Sequence, residues 1–280
     1  MADSFNNLFT ATGEALASAD PPGKAALAES LWRDWQAGRL VPGEPLAAPA
    51  QPGRPQRPVL IAPTEVPRRR LGSVEGRAAL IHAICHIEFN AINLALDAVL
   101  RFPVMPAAYQ GDWLRVAAEE AGHYRLLADH LASLGFAYGD FPAHNGLWEM
   151  AEKTAGDVLA RMAMVPRLLE ARGLDVTPGM QARLLAAGDA RAAAILDIIF
   201  RDEVGHVAVG NHWFRWLCSE RQLEPIATFR QMLGAFDAPR QLGELNTEAR
   251  LRAGFELAEL VVLQDYASEG RASRTGRHVN

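Results

Sequence analysis

The stretch IIFRDEVGHVAVGNHW, residues 198–213, sets a carboxylate and an imidazole inside an apolar run. Glu203 and His206 are three apart, and residues three apart share one face of a helix. A local ion pair is the ordinary meaning of such a pair. Half of a metal site is the other. One pair does not decide, but the chain carries a second: AAEEAGHYRLL, residues 117–127, spaces Glu120 and His123 identically. Two other apolar helical stretches each hold an acid. Glu88 follows Ile81, Ile84 and Cys85 on one face and precedes Ile92 and Ala95, and Glu170 lies in MVPRLLEARG, residues 164–173.

The order along the chain is therefore Glu, Glu-x-x-His, Glu, Glu-x-x-His. Glu88 and Glu120 are 32 residues apart, Glu170 and Glu203 are 33, so the chain reads as two helical hairpins with one ligand plan. This is the inventory of a four-helix dimetal carboxylate site. Four carboxylates balance two divalent ions, and bridging carboxylates hold such ions about 3.5–4 Å apart. One imidazole per ion leaves positions open for dioxygen or water. Oxygen and imidazole donors suit iron first and manganese second. Without metal, four crowded carboxylates repel and their pKa values rise. Glu119 competes with Glu120, being four residues from His123; Glu120 is preferred because it repeats the spacing of Glu203 and His206.

The phrases HIEFNAINLALDAVLRF, EEAGHYRLLADHL, MVPRLLEARGLDVTP and RDEVGHVAVGNHW resemble the ferritin-like di-iron carboxylate superfamily. They look closest to one bacterial branch, the uncharacterised family domain-of-unknown-function 455, over roughly residues 60–265. A more distant relative in plan is the tRNA-hydroxylase branch, which hydroxylates an isopentenylated base. The resemblance implies an all-α, ferritin-like four-helix bundle with two metal ions in its middle. By position, Glu88, Glu120, His123, Glu170, Glu203 and His206 are its six ligands.

The chain has 280 residues, 49% of them apolar, enough for a substantial core. Its net charge of −5 argues against nucleic acid as a general partner, although RNA stays compatible with a local basic patch. The two cysteines, Cys85 and Cys218, lie in apolar helical patterns and imply buried thiols in a reducing cytoplasm. The first twenty residues lack the basic and apolar regions of a secretory signal, and no window of about 18 uninterrupted apolar residues suggests a membrane span.

The helix-period pattern predicts an N-terminal helical segment (residues 4–41) with Asp20 as an N-cap and Leu27, Leu31 and Trp32 on its apolar side. Eight prolines between residues 42 and 67 exclude a regular helix and predict an extended arm. The run RRR at 68–70 reads as a solvated turn or an anion-binding patch. Four bundle helices follow: 75–101; 112–135, capped by Asp112 and stopped by Gly135; 147–172, with Pro166 inside and Gly173 as its stop; and one ending near 219. No strands are expected. A helix from 180 straight to 203 would raise Glu203 about 34 Å, too far to meet Glu170. Gly188 and Asp189 supply a stop and a cap, so the fourth helix should begin at 189, with Glu203 about 21 Å along it. A further helix over 246–267 and a polar, mobile tail complete the chain. The domain plan is thus residues 1–72 as arm, 73–268 as bundle with its C-terminal helix, and 269–280 as tail.

His86 sits about 200° round the helix from Glu88 and should face away from the metals. His82 and His212 read as structural in the same way. Trp148, Phe89 and Phe200 read as core. Tyr124, beside His123, reads first as core and otherwise as a radical or hydrogen-bonding residue behind the ligands; Arg167 and Arg172, flanking Glu170, read as partners of carboxylates or of an anionic substrate. The expected function is a dioxygen-activating oxidoreductase that hydroxylates or oxidises a small organic substrate with electrons from a separate donor. The alternatives are a ferroxidase or metal-handling protein and a non-catalytic scaffold stapled by metal. An oligomer is compatible with the sequence.

Overall fold

The computed structural model describes residues 6–67, 69–240 and 242–275, side chains excepted at residue 6 and from 270 onward. The chain is all-α. Its helices are α1 (Leu8–Ala17), α2 (Pro21–Gln36), α3 (Val74–Arg101), α4 (Ala107–Ser133), α5 (Gly146–Lys153), α6 (Val158–Met164), α7 (Arg172–Ala186), α8 (Ala190–Glu220), α9 (Pro225–Ala235), α10 (Thr247–Arg252) and α11 (Leu257–Thr275). A π-helical segment, Val165–Glu170, joins α6 to the turn before α7. Two two-residue strands that the sequence pattern does not show, β1 (Asn6–Asn7) and β2 (Leu40–Val41), pair in parallel. The chain forms two compact units. One holds residues up to Glu152 together with Gln181–Ile198; the other holds Lys153–Met180 and the chain from Ile199.

In the first unit α3 packs along α4, while α1 lies on α3 and α2 on α4. Every residue of α3 from Phe89 to Leu100 is buried, which explains why this helix is apolar on all sides. Among the described residues α3 is the one helix long and apolar enough to cross a membrane, and 78% of that stretch is buried within the chain. Asp20 caps α2 through the Gly23 N–H, as expected. Leu31 is buried but Leu27 is exposed, so the inner stripe of α2 runs instead through Lys24, Ala25, Ala28 and Leu31. The proline-rich segment is extended and non-helical. It is pinned by Arg101 Nη2 donating to the Pro49 carbonyl (2.8 Å) and by backbone bonds from Ile61 to Ala143 and from Ala143 to Val59. In the arginine run, Arg69 lies over the Phe141 ring and 3.5 Å from Glu75, while Arg68 is outside the described residues.

Helix α4 starts five residues before Asp112, which therefore does not cap it. Pro106 occupies the cap position, and Gln110 Nε2 donates to the Phe102 carbonyl at the end of α3 (3.1 Å). Gly111 lies within α4, where its missing side chain makes room for the Trp35 indole, whose Nε1 stands 2.6 Å from where a Cβ would be. Gly135, at φ +83°, ends the turn after α4 as expected. The break at Gly188 and Asp189 is present. Gly188 has φ +82°, and Asp189 accepts the Ala192 N–H (3.0 Å), so α8 begins at Ala190. Asp189 is also held by His130 (3.0 Å).

The expected single helix over 147–172 is not continuous. It breaks between Lys153 and Val158, where Asp157 caps α6 by accepting the Leu159 N–H (3.0 Å). It then widens into the π-helical segment, with Ala171 N–H bonded to the Pro166 carbonyl (3.0 Å), one residue beyond the α-helical partner. Gly173 does not stop a helix; it is the second residue of α7, which also carries Pro178. Proline has no N–H for the carbonyl four residues back. Asn246 Nδ2 supplies that donor to Leu174 O (3.2 Å). The expected helix over 246–267 is likewise two, α10 and α11, separated by Gly254 at φ +88°. α11 continues to Thr275, past the expected start of a mobile tail; residues 276–280 are outside the described residues.

Candidate metal centre

Three of the expected ligands meet in the first unit. Glu88 comes from α3, Glu120 and His123 from α4, and each is at most 3% exposed. His123 Nδ1 lies 3.0 Å from Glu120 Oε2 and 3.2 Å from Glu88 Oε2. One donor atom from each of the three falls within 4.8 Å of the others, a spacing that can hold a metal ion. Of Glu119 and Glu120, the structure brings Glu120 to His123. Glu119 sits half-exposed beside Arg115, while Glu120 points inward at His123.

Burying two carboxylates side by side is costly unless they are neutralised. Burial, and then the charge of Glu120, pushes the Glu88 carboxyl well above its usual range, with His123 opposing. Burial alone would push the His123 imidazole down; the hydrogen bonds and charges of Glu120 and Glu88 outweigh it and raise His123 well above its ordinary value. The triad thus holds positive charge between two acids, as a cation would. Three residues before Glu88, burial followed by the Glu88 charge keeps the Cys85 thiol well above its ordinary pKa. Cys85 is a thiol, its Sγ donating toward the Tyr124 carbonyl (3.7 Å).

In the second unit Glu203 and His206 repeat the local geometry, with His206 Nδ1 3.5 Å from Glu203 Oε2. His206 is fully buried, and the Glu203 side chain is 12% exposed. Glu203 Oε1 lies 4.0 Å from where a Gly173 side chain would begin, so this carboxylate lies against the first turn of α7. Glu170 closes the π-helical segment three residues before Gly173. The same unit holds α8 close to that segment: a Cβ on Gly210 would stand 2.4 Å from the Pro166 ring.

Neighbouring residues divide clearly. His86 serves structure, as expected. Its Nδ1 pairs with the Tyr138 hydroxyl (2.8 Å), and its Nε2 lies near Asn90 Nδ2 (2.9 Å) and the His144 carbonyl (3.1 Å). His82 Nε2 accepts the Gly139 N–H (2.8 Å), and burial pushes that imidazole down to about 4. His212 is exposed against Trp213. Tyr124 is buried, with Phe89 and Tyr138 rings 5.8 and 5.5 Å away. Trp148 and Phe89 are core, and Phe200 is half-buried. Arg167 does not stand behind Glu170 as a free cation. It is fully buried, bonded to Glu259, and stacked on Phe214 and Phe229 at 4.0 and 4.3 Å. Arg215 shares Glu259 at 2.7 Å, so Arg167 pairs with a carboxylate and helps anchor α11. Lys24 and Tyr138 were not singled out by the sequence pattern. A lysine in a first helical turn reads as solvent-facing, and Tyr138 follows Gly135 in an irregular loop.

No solved structure matches the chain. A Haemophilus influenzae protein described as an uncharacterized protein is 49% identical over 228 residues, covering 79% of this chain and 77% of that one. The profile of the family "Protein of unknown function (DUF455)" matches residues 17–261, across both compact units and every residue of the ligand plan. By that span, the chain belongs to the DUF455 family.

Proposed function

We propose that the chain is a ferritin-like dimetal carboxylate oxidoreductase, with Glu88, Glu120, His123, Glu170, Glu203 and His206 as ligands of two ions, iron before manganese. The observation that carries this is the buried Glu88–Glu120–His123 triad combined with a second Glu, Glu-x-x-His set at the same spacing. The donor set fits the group: anionic oxygens with one imidazole per half, and a thiol kept protonated nearby. Bound iron would supply one- and two-electron chemistry toward dioxygen. The protein's part is to bind, shield and manage protons. Glu88 and His123 favour their protonated forms and would release those protons on holding a cation. Burial of the triad excludes bulk water. Burial, with the Asp20 charge adding to it, keeps the Tyr124 phenol protonated, able to donate from the residue next to His123. A small organic substrate, a separate electron donor and a cytoplasmic location belong to the same proposal.

The test is anaerobic titration with Fe(II), followed by exposure to oxygen while visible absorption and oxygen uptake are recorded. About two Fe(II) per chain should bind, as the six-ligand plan requires. A reductant without added iron should then sustain oxygen use. Oxygen uptake that depends on repeated additions of iron would mark a ferroxidase instead. Failure to bind either Fe(II) or Mn(II) would refute the metal centre.

A further inference from the structure

A cleft of about 540 Å³ opens in the first unit where the start of α2, the proline-rich arm and the end of α4 meet. Its size falls in the ordinary range of small-molecule sites. Its walls are apolar and aromatic: Pro21 and Pro22 from α2, Tyr124 from α4, and Phe136 and Tyr138 from the loop after α4. The Tyr124 and Tyr138 rings meet edge to face, 5.5 Å apart at 88°, so two packed aromatic rings form part of the wall. An aromatic wall bounded by prolines favours an aromatic guest, which gains both apolar burial and ring contacts. The Tyr138 ring is fixed for this, because its hydroxyl is tied to His86 Nδ1.

The charge of the rim is equally specific. Arg57 lines the cleft, and among the described residues none accepts a hydrogen bond or ion pair from its guanidinium. Among the described residues no aspartate or glutamate lines the cleft itself. We propose that this cleft binds a flat aromatic small molecule carrying one negative charge, with its ring between Tyr124, Tyr138 and the prolines and its anionic group on Arg57. The site stands apart from the metal centre. Tyr124 follows the ligand His123, but successive helical residues project about 100° apart, so the guest lies on another face of α4.

The full-length, metal-free chain tests this with two fluorescent probes of one shape. One is the anion 1-anilinonaphthalene-8-sulfonate; the other is neutral N-phenyl-1-naphthylamine. Both should bind saturably at one site per chain. Arg57→Ala should weaken the anionic probe about fivefold, the loss of one solvent-exposed ion pair, and leave the neutral probe unchanged. Ala132→Phe, on an exposed lining position of α4, should weaken both probes by filling the cleft without disturbing the fold. Three results would each overturn the proposal: no saturable binding to the wild-type chain, unchanged affinities in Ala132→Phe, or an equal response of both probes to Arg57→Ala.

Discussion

Lys24 stands four residues before Ala28 and seven before Leu31, where α2 turns its apolar stripe inward. Its ammonium is completely buried and serves three acceptors: Leu16 O (3.0 Å), Gly53 O (2.7 Å) and Asn93 Oδ1 (2.5 Å). It therefore ties α1, the proline-rich arm and α3 together at one point. Lys24→Met keeps the apolar stem but leaves these acceptors without a donor, which should cost about 3 kcal/mol in urea unfolding. Burial, with the charge of Arg54 adding to it, lowers Lys24 to about 7 from 10.5. Between those values the unfolded chain binds more protons than the folded one, so stability rises with pH across that window. Below about 7 both states are protonated and this contribution is at its least. The stability gap between wild type and Lys24→Met should accordingly widen from pH 7 to pH 10. A gap that stays flat or narrows would show that the folded ammonium is not destabilised. Glu120 was legible in the sequence because its alternative, Glu119, breaks a spacing that the chain uses twice. Lys24 was not, since nothing local distinguishes a buried lysine from a surface one.

Elements were legible where the signal that ends them is local. Gly188 takes a left-handed φ, and Asp189 caps the helix that follows; both are properties of the residues themselves. The stop expected at Gly173 misled because distant residues support the helix that runs through it and on past Pro178. The carbonyl exposed by Pro178 is satisfied by Asn246, and Asp175 on the same helix pairs with Arg250 at 2.7 Å. The first of these contacts spans 72 residues of sequence, beyond any local pattern. Gly210 is a similar case, its meaning set by Pro166 on the π-helical segment. Gly210→Ala would put a methyl group 2.4 Å from a proline ring that cannot rotate away. Overpacking of this kind should cost about 2 kcal/mol. It should also shift the segment ending in Glu170 away from the stretch of α8 that carries Glu203. Gly205→Ala on the same helix meets nothing within 4 Å and should be neutral or slightly stabilising, since alanine is the better helix former. Thermal melting of both variants checks the contrast; equal melting temperatures would remove the close contact as a constraint on α8.

For the whole molecule, the question is whether the acids are kept for stability or for a cation. The Glu88–Glu120–His123 triad is buried without a hydrophobic reason, and Glu88 is raised by burial and by Glu120. Removing a carboxylate from such a cluster relieves repulsion when metal is absent and deletes a ligand when it is present. Glu88→Ala and Glu170→Ala should therefore both lower the metal bound per chain. They should also lower the melting temperature of the metal-loaded protein, because an ion that binds the folded state stabilises it by mass action. In excess chelator the same variants should melt close to wild type or slightly above it. His86→Ala provides the contrast. It leaves the Tyr138 hydroxyl and the Asn90 amide short of a partner, so it should lose stability with and without chelator alike, yet keep its metal. Metal analysis and melting of the three variants, each with and without chelator, separate the two roles. If both glutamate variants carried as much metal as wild type, Glu88 and Glu170 would not be ligands. If chelator left the wild-type melting temperature unchanged, the acids would be buried for some purpose other than holding a cation.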